Sequence, residues 1–156
     1  MTRDELVEMI RAADPVASAA RLRLDPSEPV TWTRATSPDV DADIVPYGTQ
    51  VPAEVTADRI LELSVRHAAT GDVHAVSPVP ADGSPGSWGV QDLTVIAACR
   101  YALPDVRWIR PSWEKLGASL CQIAIAFGAN DWVLPADERV DPEHLAAAVG
   151  RRAVKR

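Results

Sequence analysis

The sequence predicts an α/β fold: a parallel sheet of about five strands with helices on its outside, either an open sheet or an incomplete (β/α) barrel. Two observations carry this. From residue 44 onward, short apolar or β-branched runs alternate with longer segments of helical period. The count then stops short of the eight strands that a closed (β/α)8 barrel needs. The 156 residues, 47% of them apolar, are expected to form a single domain: residues 1–34 as N-terminal helices and a first strand, residues 44–156 as the strand–helix body.

Residues 3–13 read as a helix, with Leu6, Val7, Ile10 and Ala13 on one side. Asp14-Pro15 is an N-cap followed by a first-turn proline, opening a second helix, Val16 to Leu24. Residues 25–29 make a turn, and Val30-Thr31-Trp32-Thr33 a strand. A polar loop leads to Ile44-Val45-Pro46-Tyr47, a short strand stopped by Gly48. The next helix runs from Ala53 to Thr70, with Ala57, Ile60, Leu61, Ser64 and Ala68 inward and Gly71 as its stop. Val73 to Val79 is a strand of small and apolar residues, expected to be buried on both faces.

Pro80 to Gly89 is a loop, and its Trp88 is a candidate contact residue, as is Trp32. Leu93, Ile96, Ala97, Arg100 and Leu103 outline a helix stopped by Pro104; Val106 to Ile109 is a strand. Ser112 caps one helix running to Phe127, with Gly128 beyond its end and Gly117 expected to mark close packing on the sheet. Asn130 and Asp131 open the strand Trp132-Val133-Leu134. Asp141 caps a helix from Pro142 to Val149, and the basic tail RRAVKR is expected to be solvated.

A net charge of −6 argues against a general nucleic-acid binder, and no apolar run reaches membrane-spanning length. The N-terminus lacks a signal-peptide pattern, so a cytoplasmic protein is expected. Cys99 and Cys121 lie in apolar helical context and read as buried free thiols. His67, His74 and His144 have no ligand spacing, so no metal site is expected. Gly86 and Gly89 before a helix give a weak phosphate signal, opposed by Asp92.

The stretch from Trp113 through Leu116-Gly117, Gln122, Ala124 and Phe127 to Gly128-Ala129-Asn130-Asp131 resembles the closing helix–strand unit of the radical S-adenosylmethionine enzymes of futalosine-pathway menaquinone and deazaflavin biosynthesis, the aminofutalosine synthase and dehypoxanthine futalosine cyclase group. Tyr47-Gly48, Pro78 with Pro80, Gly89 through Asp92-Leu93 to Arg100, and Gly150-Arg151 with Val154 and Arg156 continue the resemblance in order. It implies the C-terminal half of a barrel enzyme whose active face lies at the strand ends. On that rim it would place Tyr47, Thr49, Ser77, Arg110, Asn130 and Asp131 as ligand-binding candidates.

Such chemistry needs three clustered thiolates for a 4Fe–4S cluster, and this chain has two cysteines, far apart. The expectation is therefore a shortened pseudoenzyme, radical-S-adenosylmethionine-like in sequence but holding neither cluster nor S-adenosylmethionine. It would work non-catalytically in menaquinone synthesis, as a homo-oligomer or docked on a pathway protein that covers its open sheet edge. The alternative is an iron-independent enzyme or binding protein using the same rim for a small molecule.

Overall fold

The computed structural model describes residues 1–36, 41–81 and 89–156. Among these residues it is an α/β fold in which six strands form two parallel three-stranded sheets. The elements are α1 (Arg3–Ala12), α2 (Pro15–Ala19), β1 (Val30–Ala35), β2 (Asp43–Tyr47), α3 (Ala53–Thr70), β3 (Ala75–Pro80), α4 (Val90–Ala102), β4 (Trp108–Ile109), α5 (Trp113–Ile123), β5 (Asp131–Pro135), α6 (Pro142–Ala147) and β6 (Ala153–Lys155). One sheet has the order β5-β1-β6 and the other β2-β3-β4. No closed barrel forms among the described residues.

Local chemistry sets the helix ends. Thr2 and Asp14 cap α1 and α2 by accepting the amides of Glu5 at 3.1 Å and Ala17 at 3.0 Å. The second helix is shorter than its sequence suggests and ends at Ala19, since residues 20–24 continue as turn and coil. On the outer layer α1 packs on α3, with ion pairs Arg3–Asp58 and Arg11–Glu54 across the contact. The most buried helix is α4, where Leu93 through Cys99 are all buried between β3 and the α1–α2 pair.

Three expectations are corrected. The helix after Ser112 is not continuous. Gly117 leaves helical geometry at φ 81°, ψ 171°, and residues Ala124–Phe127 tighten into a 3-10 turn. A Cβ at Gly117 would meet nothing within 4 Å, so this glycine serves backbone conformation, not close packing. The tail is not free: Ala153–Lys155 add to β1 as β6, pairing Val30 with Ala153 and Trp32 with Lys155. Backbone pairing on an open edge overrode a basic composition that reads as coil. Trp32 is only partly buried but is occupied, with Arg34 and Lys155 flanking its ring at 5.8 and 5.5 Å. Trp88 and the Gly86 half of the phosphate signal lie outside the described residues.

Asn130 bridges the two sheets between β4 and β5. Asn130, directly before β5, donates its amide to Ile109 O at 3.1 Å, and its Oδ1 accepts Ile109 N at 2.9 Å. Its Nδ2 donates to Arg107 O at 2.8 Å. Thus Asn130 stands in for the ladder bonds that β4 and β5 do not make.

Candidate functional site

Strand alternation puts Thr31, Trp108, Arg110 and Asp131 on one sheet face. The opposite face carries Trp132, whose Nε1 donates to Cys121 O of α5 at 3.0 Å. On the first face a polar network is built around Asp131, which has no exposed surface. Its carboxylate accepts four hydrogen bonds: from Thr31 Oγ1 at 2.7 Å, Arg110 Nε at 2.7 Å, and Arg156 Nε and Nη2, both at 2.8 Å.

Arg110, 1% exposed, also donates to Asp41 at 2.8 Å, and its carbonyl accepts the Ser77 hydroxyl at 2.9 Å. Arg156 lies over the Trp108 ring at 4.8 Å. Burial works against the charge of Arg110, but the Asp41 hydrogen bond and the Asp131 charge outweigh it and raise its pKa. The same Arg110 contact holds Asp41 below the usual carboxylate range. The arrangement fixes two guanidinium groups and two carboxylates in one geometry.

The predicted site residues therefore separate. Ser77, Arg110 and Asp131 converge in this network, and Asn130 adjoins it as the sheet link. Asn130 and Asp131 stand at the beginning of β5, so they do not share a strand-end rim with Tyr47 and Thr49, which follow from the end of β2. Thr49 is exposed in the turn after β2. Tyr47 is buried and hydrogen-bonds Asp92 of α4. Burial, then the charge and hydrogen bond of Asp92, push the tyrosine pKa up. The second oxygen of Asp92 is buried without a hydrogen-bond partner.

Sequence reasoning missed Thr31, Asp41 and Arg156 as members of the network. Pairing of β1 with β5 and β6 brings Thr31 and Arg156 to Asp131, and Asp41 arrives at Arg110 from the segment before β2; no local signal marks either approach.

Among the cavities of the described residues, one of about 390 Å³ opens at the C-terminal ends of β1 and β5. Ala35, Thr36, Pro135 and Ala136 line it, with the carboxylates of Glu114 and Asp137. Ligands of open parallel sheets bind beyond this end of the strands.

Neither cysteine fits an iron–sulfur ligand. Cys99 and Cys121 are fully buried, and burial pushes Cys99 up to about 12 and Cys121 higher still, so both are held as thiols and not thiolates. Among the described residues no three potential ligands gather.

The sequence matches no protein-family model. Curated relatives do match in part, and five share one name, 5-amino-6-(D-ribitylamino)uracil–L-tyrosine 4-hydroxyphenyl transferase. That of Methanococcus aeolicus is 38% identical over 63 residues, covering 38% of this chain and 17% of its own length. That of Archaeoglobus fulgidus is 47% identical over 47 residues, 30% of this chain and 14% of its own. That of Methanosphaerula palustris is 29% identical over 92 residues, 50% of this chain and 25% of its own. The chain thus spans a quarter or less of the length of these relatives.

These names correct the sequence-based expectations. They agree with a radical-S-adenosylmethionine-like sequence, but the matched proteins are named as transferases and not as futalosine-pathway enzymes of menaquinone synthesis. The non-catalytic reading is withdrawn for the same reason: every one of these five names is that of an enzyme. The expectation of no cofactor falls with it. The cysteine count of a chain matching so small a share of these enzymes gives no ground for denying them, or a protein built like them, a cluster and S-adenosylmethionine. As for the membrane, no helix among the described residues is long and apolar enough to cross one.

Proposed function

We propose that this chain forms part of the catalytic body of a transferase that moves the 4-hydroxyphenyl group of L-tyrosine onto an aminouracil acceptor. The observation that carries the proposal is the single activity name shared by the five partial relatives. In this reading the two sheets are adjoining parts of one (β/α) barrel wall within a single domain. The Asn130 bridge between β4 and β5 and the parallel pairing of β1 with β5 support it. These enzymes are several times longer than the matched stretch, so the proposal includes further polypeptide, on this chain or on an associated subunit.

The proposed substrate surface is the cavity at the ends of β1 and β5. Glu114 and Asp137 offer acceptors for the hydroxyl and amino groups of a ribitylaminouracil, and Thr36 adds a hydroxyl. The buried Asp131 network would be the rigid floor that holds these strand ends in place. No chemical step is assigned to the buried cysteines.

Calorimetric titration with 5-amino-6-(D-ribitylamino)uracil and, separately, with L-tyrosine tests this. Saturable binding of the uracil is expected, weakened about tenfold or more by each of Glu114→Gln and Asp137→Asn, since charge-assisted hydrogen bonds are worth about 1.5–3 kcal/mol. Absence of binding by either compound would sink the proposal.

A further inference from the structure

At the opposite end of the sheets, where β1, β4 and β5 begin, lies a second cavity of about 170 Å³. Four arginines line it: Arg23, Arg100, Arg107 and Arg151. Among the described residues none of the four forms an ion pair, whereas Arg3, Arg11, Arg21, Arg59, Arg66, Arg110 and Arg156 all do. In a chain of net charge −6, unpaired cations gathered at one concavity are unexpected.

Arg100 is the deepest of them. Its guanidinium donates only to uncharged acceptors: Gly128 O at 3.0 Å, Val106 O at 2.6 Å, Leu103 O and Pro104 O at 3.4 Å, and Asn130 Oδ1 at 3.2 Å. Carbonyl dipoles hold the group in place without pairing its charge; burial lowers its pKa, and the charge of Glu28 offsets that only in part. Two acids share the cavity wall. Asp25 is turned into its own turn, accepting Ser27 N at 2.9 Å and Ser27 Oγ at 2.7 Å. Glu28 is exposed, and its main-chain oxygen takes Arg151 Nη1 at 3.0 Å. Four positive charges thus face two negative ones.

We propose that this cavity is a binding site for a compact oxyanion, specifically a phosphate group, held between Arg23, Arg107 and Arg151 above the fixed charge of Arg100. Guanidinium forks match phosphate oxygens, and each bond is charge-assisted. The volume equals that of about five to six waters at roughly 30 Å³ each, room for a phosphate of five heavy atoms. The site is distinct from the proposed substrate cavity and does not depend on the transferase reading.

The test is titration with inorganic phosphate followed by phosphorus NMR line width and calorimetry, against chloride at matched ionic strength. One saturable phosphate site is expected. Arg23→Ala with Arg107→Ala should weaken it about tenfold or more, since both residues are exposed and their loss removes charge-assisted contacts. Circular dichroism checks that the variant folds. Arg152→Ala, an exposed arginine outside the cavity, should bind as the parent does. Displacement of phosphate by ribose 5-phosphate would identify the phosphoryl group of a larger metabolite as the ligand; no displacement would identify the free ion. Equal effects of chloride, or binding unchanged by the double substitution, would overturn the site.

Discussion

Replacing Asp131 with asparagine tests whether the network on the sheet face holds the two sheets together. The substitution keeps the shape and removes the charge. Whichever oxygen becomes an amide nitrogen then opposes two donors, because Oδ1 takes Thr31 and Arg156 and Oδ2 takes Arg110 and Arg156. Arg110 is 1% exposed and would lose its buried counter-charge, while Asp41 stays beside it near the surface. Breaking a buried pair by removing one partner costs about 3–5 kcal/mol. With an unfolding entropy of about 2.1 cal/mol/K per residue, a chain of this size loses roughly 3 °C per kcal/mol, hence about 9–15 °C in Tm.

Urea and thermal unfolding give the number, and a double-mutant cycle gives its origin. Arg156→Gln alone should cost about 1 kcal/mol, since that side chain is 22% exposed and partly solvated. In the Asp131→Asn background it should cost almost nothing. A loss below about 1 kcal/mol for Asp131→Asn, or strict additivity of the two changes, would refute the account of a coupled buried network.

Three further outcomes follow from the packing. Gly128→Ala should destabilise by more than Gly117→Ala. Both glycines have positive φ, but a Cβ at Gly128 would sit 2.6 Å from Arg100 Cβ while one at Gly117 meets open space; chemical denaturation should separate them by about 1–3 kcal/mol. Tyr47→Phe should cost about 1–3 kcal/mol by leaving both Asp92 oxygens without a hydrogen bond, and unfolding curves of the single variant would show it; a neutral change would mean that Asp92 finds another donor. Cys99 and Cys121 should resist thiol reagents in the native state. Their pKa values are raised above the unfolded value of about 8.5, so the stability they contribute is complete below that pH and is lost as the pH rises toward about 12; Cys99→Ala should flatten this alkaline decline in stability-versus-pH measurements.

The parts of the fold legible in the sequence are those with local causes. α3 begins and ends where its sequence predicts, because Pro52 opens it and Gly71, at the αL position, closes it. β6 was invisible because Ala153-Val154-Lys155 is a strand only by virtue of the open edge of β1. The site divides in the same way. Asn130 and Asp131 stand out in a sequence as turn formers and strand openers. Their partners Arg110 and Arg156 lie on either side in sequence and become neighbours only through sheet order. Tyr47, a strand-end tyrosine, looked like a rim residue; its alternation with the buried Val45 points it toward α4 and Asp92. The 3-10 end of α5 and the break at Gly117 depend on how that helix meets β5, which helical period alone does not encode.

The parallel ladder of β1 also carries a consequence for biosynthesis. Thr31 and Asp131 are 100 residues apart, and β6 arrives later still. At about 5–20 residues per second, a ribosome takes roughly 5–20 s to deliver β5 after β1 has emerged. Throughout that interval β1 has neither neighbour, while α1, α3 and the β2-β3-β4 sheet can already assemble. The nascent chain must therefore keep a β-branched strand with two open edges from pairing with other chains, and chaperone dependence should map to β1 and not to the strands that follow it.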